Sequence, residues 1–191
     1  MEPHFGKVDI QMYNHYLNKA NVYFEFGSGG STYQACAKKN IKKVYSVESD
    51  LNWYNKVKTN INSNKLSFIL VDLKCEPNNW GNPGKLCSIE SKIQYSDSLC
   101  NLTKEESEAI DLILIDGRFR VACCLKTFSV TNDNCLIIFD DFLNRKQYHI
   151  VLNYFDVIGY SAADKRMVIL KKKQCQPPSD DIIKKYELIC D

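Results

Sequence analysis

A glycine-rich loop carries the first group of residues whose types and spacing could do chemistry. The loop spans residues 25–31 and has three glycines in four positions. Glycine lets a backbone turn sharply and approach a ligand without an intervening Cβ atom. A helix that begins behind such a loop offers unpaired N–H groups to a carboxylate. The predicted cofactor-binding loop is Glu25, Phe26, Gly27, Ser28, Gly29, Gly30 and Ser31.

Three further carboxylates, Glu48, Asp72 and Asp116, are predicted to complete a cofactor site. Glu48 closes the second predicted strand, 21 residues after Gly27. A carboxylate at that place is the usual partner for the two hydroxyls of a ribose. Asp72 ends the third predicted strand and is expected to border an adenine base.

The same loop could serve a dinucleotide, so the two kinds of cofactor must be separated. The dinucleotide fingerprint has a third glycine three residues after Gly29, and Thr32 stands at that position. Glu25 would repel a pyrophosphate but favours a cofactor with a cationic amino-acid end. The residues therefore favour S-adenosylmethionine over NAD. A simple turn is the alternative for a glycine loop alone, and Glu48 and the strand order argue against it.

Three aspartates form the second group of candidate residues. Asp116 ends the fourth predicted strand, and Asp140 and Asp141 end the fifth. Neighbouring parallel strands lie about 4.8 Å apart, so these carboxylates should meet at the carboxyl edge of the sheet. Three acidic oxygens suit a hard divalent ion such as Mg²⁺, which could hold an acceptor and lower the pKa of its hydroxyl.

Ion pairing is the alternative for these carboxylates. Arg118, Arg120 and Arg145 are the candidate partners, with Asp141 capping the following helix. Arg118 and Arg120 could instead hold a phosphate or carboxylate of an acceptor, and both possibilities remain open. His149 is the candidate general base, because an unperturbed imidazole titrates near neutral pH. Its alternative is a structural histidine on a helix face.

Short apolar runs that alternate with amphipathic stretches must position these residues. This alternation is typical of β-α units around a parallel sheet. The stretch 75–87 holds two prolines and two glycines and is predicted to be irregular. Predicted strands are 21–26, 43–47, 68–71, 111–115, 135–139, 155–160 and 166–171, the last two antiparallel; predicted helices are 9–19, 32–39, 50–62, 119–129, 145–154 and 180–189.

Length and composition set the frame for these elements. The 191 residues predict a single domain, 1–191, with a helical extension over 1–20 and a tail with a short helix over 172–191. The net charge of +2 argues against a nucleic-acid partner. No signal-peptide core or membrane-length apolar run is present, so we expect a soluble cytoplasmic protein without a membrane partner. Nine scattered cysteines favour reduced thiols.

Several segments together resemble one protein family. EFGSGGST, VYSVESD and the pair Trp53-Tyr54 resemble motifs I and II of class I S-adenosylmethionine-dependent methyltransferases. The likeness continues through WGNP, IDGRFRVACCLKTF, FDDF and residues 145–170. Over these segments the chain resembles compact methyltransferase-like proteins of bacteria and large DNA viruses. It implies a Rossmann-like α/β fold with a mostly parallel seven-stranded sheet, an antiparallel final strand and helices on both faces.

The resemblance also implies an activity. The pattern of Asp116 followed by Asp140-Asp141 is similar to macrocin-type sugar O-methyltransferases, in which such aspartates bind Mg²⁺. Those enzymes place a base two or three residues after the first aspartate, where this chain has Arg118 and Phe119. The expected activity is O-methylation of a sugar, glycan or other small hydroxylated acceptor. Nucleic-acid methylation and a catalytically silent cofactor-binding protein are the alternatives, and a homodimer is compatible with the sequence.

Overall fold

A computed structural model describes residues 1–161 and 166–190 of the chain. Its centre is a seven-stranded mixed sheet, as the sequence predicts. The strands are β1 (Val22–Phe26), β2 (Lys43–Glu48), β3 (Leu66–Leu70), β4 (Leu112–Ile115), β5 (Leu136–Phe139), β6 (Phe155–Tyr160) and β7 (Val168–Lys172).

The strand order is β3-β2-β1-β4-β5-β7-β6. The first five strands of this order are parallel, and β7 runs antiparallel to both of its neighbours. The chain order reverses at β1 and β4, which is where ligands bind in open α/β sheets. The register pairs Phe26 with Ile115 and Phe139 with Val168, so β1, β4 and β5 end at the same edge where β7 begins.

Helices cover both faces of this sheet. Strand β4 shows why both are needed, because all four of its side chains are apolar and buried. The helices are α1 (Lys7–Leu17), α2 (Gly30–Ala37), α3 (Leu51–Asn60), α4 (Ile89–Asp97), α5 (Lys104–Glu108), α6 (Arg120–Val130) and α7 (Asp180–Glu187), with a 3-10 helix over Lys146–Asn153.

Two apolar cores result. Leu112 and Leu114 of β4 face a smaller core with residues of α1 and α2. Ile113 and Ile115 face a larger core with α4, α6 and the 3-10 helix. The alternation along β4 follows from the two-residue repeat of a strand.

The sequence analysis missed two helices. Helix α4 begins with Ser88, whose side chain accepts a hydrogen bond from the Ser91 amide. Helix α5 begins with a capping box in which Thr103 and Glu106 exchange hydrogen bonds. The helix predicted over 145–154 is a 3-10 helix over Lys146–Asn153.

The last helix is fastened by a buried charge. Lys126 of α6 forms ion pairs with Asp97 at the end of α4 and with Glu187 of α7, and its side chain is 6% exposed. Helix α7 lies in the tail predicted over 172–191, of which Asp191 is outside the described residues. Residues 162–165, part of the segment 145–170 that carries the resemblance, are also outside them.

Two expectations concern the molecule as a whole. All nine cysteines are free thiols. Within 1–161 and 166–190, no helix has the length and apolar character that a membrane span requires.

Candidate functional site

The glycine loop lies between β1 and α2, at the carboxyl edge of the sheet. The Gly27 amide donates to the Val47 carbonyl oxygen over 2.9 Å, so the loop begins as a continuation of the sheet. Gly27 has a φ of +93°, and a Cβ atom there would lie 2.8 Å from the Gly117 nitrogen. Glycine is required at this position because the bend passes directly against the turn that follows β4.

The other two glycines have different surroundings. A Cβ atom at Gly30 would lie 2.0 Å from the carbonyl carbon of Glu2 and 2.2 Å from the Pro3 nitrogen. The start of the chain therefore packs on the loop at Gly30. At Gly29 an added Cβ atom would lie in ordinary contact with the Trp53 ring, 3.8 Å away, so the indole of Trp53 packs beside the loop.

Two predicted loop residues contribute through their backbones. Phe26 is fully buried in the larger core, so its side chain faces away from a ligand on the loop. The Ser31 carbonyl oxygen accepts a hydrogen bond of 3.1 Å from the Tyr13 hydroxyl of α1. Helix α1 thus supports the first turn of α2.

Glu25 lies behind the loop and is fully buried. Its carboxylate accepts hydrogen bonds from the hydroxyls of Tyr23 (2.8 Å), Ser46 (2.6 Å) and Thr32. Burial raises the pKa of Glu25 to about 7, and the hydroxyl donors oppose that rise. Thr32 also accepts from the Gly29 amide over 2.9 Å, so it links the loop to Glu25. Direct contact between Glu25 and a cofactor stays a prediction.

Glu48 lies at the end of β2, beside the loop, and is 5% exposed. One carboxylate oxygen accepts from the Ser28 amide (3.2 Å) and hydroxyl (2.5 Å), and the other accepts from the amides of Ser49 (2.7 Å) and Asp50 (2.9 Å). Burial raises the pKa of Glu48 above its usual value. The Ser28 hydroxyl therefore occupies an oxygen that could accept from a ribose hydroxyl.

Asp72 lies two residues beyond the end of β3, at the same edge. Its carboxylate forms an ion pair of 2.7 Å with Lys74 and accepts from the Lys74 amide over 2.8 Å. The hydrogen bond from the Lys74 side chain lowers the pKa of Asp72. Its place beside an adenine base stays a prediction.

The three predicted aspartates do meet at the edge of the sheet, around a buried arginine. Arg120, in the first turn of α6, is 3% exposed and lies 3.1 Å from Asp116 and 3.4 Å from Asp141. Its guanidinium also donates to the carbonyl oxygens of Asp140 (2.8 Å) and Gly117 (3.0 Å). Arg120 therefore holds the ends of β4 and β5 together.

Two partly exposed arginines complete the cluster. Arg145 lies 3.0 Å from Asp141, and Arg166 lies 2.7 Å from Asp141 and 3.2 Å from Asp140. The sequence analysis named Arg145 but missed Arg166. Asp141 binds these arginines instead of capping the following helix, so the capping prediction was wrong.

The local electrostatics differ among the three carboxylates. Asp140 is 1% exposed, and burial followed by the charges of Asp116 and Asp141 raises its pKa to about 8. Its Oδ1 atom has no hydrogen-bond partner among the described residues. The side chain of Asp116 is 33% exposed, against 2% for Asp140 and 18% for Asp141. Asp116 is thus the most accessible acid of the cluster.

This arrangement does not fit a hydrated magnesium ion. Arg120 and Arg166 already lie on oxygens of all three aspartates and supply the positive charge that a metal would bring. Across the described ranges, no group of three or more His, Cys, Asp or Glu side chains has an arrangement that could hold a metal ion. The ion pairs of Arg120 and Arg145 agree with the ion-pairing alternative.

The two remaining candidates have structural contacts. Arg118 donates to the side-chain oxygen of Asn82 over 2.9 Å, so it fastens the irregular segment 75–87 to the turn after β4. His149 stacks on Phe142 at 5.1 Å between ring centroids, and its Nε2 lies 3.3 Å from the Phe142 carbonyl oxygen. The acceptor-binding role of Arg118 and the role of His149 as a general base stay predictions.

Tyr95 supports the site from beneath the turn that follows β4. It is fully buried in α4, and its hydroxyl accepts from the Arg118 amide over 3.4 Å. A Cβ atom at Gly117 would lie 2.0 Å from that hydroxyl. Tyr95 therefore holds the Asp116–Arg118 turn against the glycine loop.

Comparison with known proteins agrees with this fold. A methyltransferase-like protein from Silicibacter pomeroyi matches with a TM-score of 0.76 and 25% identity over 97% of this chain and 94% of the other. A candidate caffeoyl-CoA O-methyltransferase from Staphylococcus aureus matches with a TM-score of 0.58 and 15% identity over 90% of this chain and 86% of the other. A candidate tRNA (m1A22) methyltransferase from Streptococcus pneumoniae also matches with a TM-score of 0.58, at 12% identity over 94% of this chain and 75% of the other.

The chain therefore has the class I S-adenosylmethionine-dependent methyltransferase fold, with its Rossmann-like sheet. The strongest of these likenesses is to a protein described only as methyltransferase-like, and the other two differ in the acceptors that their names give. No family model and no curated protein matches the sequence.

Proposed function

We propose that this protein binds S-adenosylmethionine at the glycine loop and Glu48 and transfers its methyl group to a hydroxyl of a small acceptor, such as a sugar or glycan. The main support for the proposal is that the glycine loop and the end of β2 lie side by side. The N-terminus of α2 opens behind Gly29, and Glu48 lies within hydrogen-bond distance of Ser28 at the adjacent strand end. The class I fold supports the same cofactor.

Each end of the cofactor has a matching group in this chain. Amides at the start of α2 would bind its carboxylate. Glu48 would accept hydrogen bonds from the ribose hydroxyls, with the Ser28 hydroxyl giving way to one of them. The bound cofactor supplies an electrophilic methyl group on a sulfonium, so the protein contributes mainly alignment and exclusion of water.

Asp116 is the proposed contact for the acceptor. It follows β4, next to the turn at Gly117 that touches Gly27, and it is the most exposed acid of the cluster. A carboxylate there can accept a hydrogen bond from an acceptor hydroxyl and orient its oxygen toward the methyl group. When the methyl group moves from sulfur to oxygen, the hydroxyl loses its proton, and Asp116 is the proposed first proton acceptor.

Titration calorimetry tests the cofactor. We expect the unmodified chain to bind S-adenosylhomocysteine and not NAD. Glu48→Gln should weaken S-adenosylhomocysteine binding about tenfold or more, because hydrogen bonds to a charged group contribute roughly 1.5–3 kcal/mol. Glu105→Gln is the control, since this exposed residue lies in α5, before β4 and so at the opposite edge. Absence of heat with S-adenosylhomocysteine from folded protein would refute the proposal.

An acceptor panel tests the reaction. Methyl glycosides, nucleotide sugars and a transfer RNA would each be incubated with methyl-labelled cofactor, with and without EDTA. We expect label in a glycoside or nucleotide sugar, no effect of EDTA, and loss of turnover in Asp116→Asn with cofactor binding retained. Label in the RNA alone would replace the small-acceptor proposal with nucleic-acid methylation.

A further inference from the structure

An exposed tryptophan stands at the tip of the irregular segment 75–87. Trp80 is 77% exposed, which is unusual for the largest apolar side chain. Its backbone has a φ of +51°, a left-handed conformation that carries an energetic cost for a residue with a bulky side chain. Such strain persists only where the surrounding structure enforces it, and it is concentrated at functional sites.

The residues on either side of Trp80 are fastened to the candidate site. The Gly81 carbonyl oxygen accepts from the Ser49 hydroxyl over 3.0 Å, and a Cβ atom at Gly81 would lie 2.6 Å from that hydroxyl and 4.0 Å from Oε1 of Glu48. Asn82 accepts from Arg118 over 2.9 Å. The loop tip therefore lies on the residues that follow β2, and its position is fixed from two directions.

The start of the chain fixes a third side. The His4 ring lies 5.8 Å from the Trp80 ring and is nearly perpendicular to it. Two residues earlier, the backbone of Glu2 packs on Gly30 of the glycine loop. Trp80 thus stands between Glu48 and the first residues of the chain, and most of its surface is exposed.

We propose that the indole of Trp80 stacks on the purine base of the bound cofactor, an inference that rests on the proposed function. A nucleoside held at its ribose by Glu48 and at its amino-acid end by the glycine loop directs its base away from that loop, toward Ser49 and the loop tip above it. An exposed indole there offers a flat apolar face to a purine, the arrangement by which aromatic side chains bind bases.

Tryptophan fluorescence tests this directly, because the chain has two tryptophans. In the Trp53→Phe variant, Trp80 is the sole reporter. Saturating S-adenosylhomocysteine should quench its emission and shift it to shorter wavelength, since the indole passes from water to a stacked environment. Adenosine should reproduce the change, whereas homocysteine and methyl glycosides should not.

Affinity gives an independent readout. Trp80→Ala should weaken S-adenosylhomocysteine binding about tenfold by calorimetry, whereas Trp80→Phe retains a ring and should stay within about threefold. Leu86→Ala is the matched control, because Leu86 lies in the same segment and is 86% exposed. It should bind like the unmodified chain.

The possible failures are distinguishable. Unchanged Trp80 emission at a concentration where calorimetry shows saturation refutes the stacking and leaves the proposed function intact. Emission that responds to glycosides but not to S-adenosylhomocysteine also refutes it, because the indole would then belong to the acceptor. No heat with S-adenosylhomocysteine in any variant refutes both proposals.

Discussion

Two groups of carboxylates lie at different corners of the same sheet edge, and their negative charges are stabilised by different partners. At the hydroxyl-lined corner, Glu25 and Glu48 accept hydrogen bonds from hydroxyls and backbone amides. At the arginine-lined corner, Asp116, Asp140 and Asp141 lie on guanidinium groups. The first corner has neutral donors only, whereas the second carries its own countercharge.

The two kinds of partner suit the two corners to different roles. Neutral donors stabilise a carboxylate less than a cation does, which is compatible with the proposed role of Glu48 toward the ribose hydroxyls. Internal ion pairs at the other corner fix the ends of β4 and β5 and reduce the attraction for a free metal ion. Rigid geometry is what alignment of a methyl acceptor requires.

Removing the buried guanidinium of Arg120 should have the largest effect on the free energy of unfolding. Arg120→Met leaves the carboxylates of the arginine-lined corner without their central partner, and breaking a buried ion pair costs about 3–5 kcal/mol. Urea unfolding at pH 7.5 measures the loss. Arg145→Met, at a side chain that is 38% exposed, should cost about 1 kcal/mol or less. Equal losses in the two variants would show that Arg120 is not the centre of the cluster.

Removing one charge from the hydroxyl-lined corner should change the pH dependence of stability. Because the folded-state pKa of Glu25 is raised to about 7, its contribution to the free energy of unfolding is greatest at acid pH. That contribution falls as pH rises from about 4.5 to 7, by up to about 3 kcal/mol. Glu25→Gln should remove this decline. Parallel pH profiles for the two proteins, from urea unfolding between pH 4.5 and 8, would contradict the assignment.

Magnesium should have the smallest effect. If the arginines already balance the three aspartates, about 5 mM Mg²⁺ should shift the melting temperature by less than about 1 °C, because an ion that does not bind the folded state does not stabilise it. Sodium chloride of matched ionic strength controls for screening of the ion pairs. A saturable rise with Mg²⁺, lost in Asp140→Asn, would restore the metal hypothesis.

Much of the fold follows from local patterns. The run Leu112–Ile115 predicts a strand buried on both faces because it has no polar side chain to expose. The edge at which Glu48, Asp116 and Asp140 meet follows from the parallel order of the strands. Helix α4 was not predicted because its polar residues obscure the apolar repeat. Thr103 and Glu106 have the spacing of a capping box, which could have predicted the start of α5.

The contacts of the site were harder to predict, because they depend on pairing between distant segments. Arg166 reaches Asp140 only because β7 runs antiparallel to β5, and the pairing of Phe139 with Val168 would have indicated it. The glycine pattern predicts that a ligand approaches the loop backbone at Gly30, whereas the backbone of Glu2 fills the space beside that residue. A glycine pattern alone does not say which neighbour approaches it.

The ion pairs of Lys126 have a consequence for the cooperativity of unfolding. If α7 detached by itself, the ammonium group beneath it would lose Glu187 and retain only Asp97 as a carboxylate partner. Fraying of this terminal helix therefore carries an electrostatic penalty in addition to the loss of apolar contacts. The amide protons of α7 should accordingly exchange with solvent on the timescale of the domain core, not on that of a loose end.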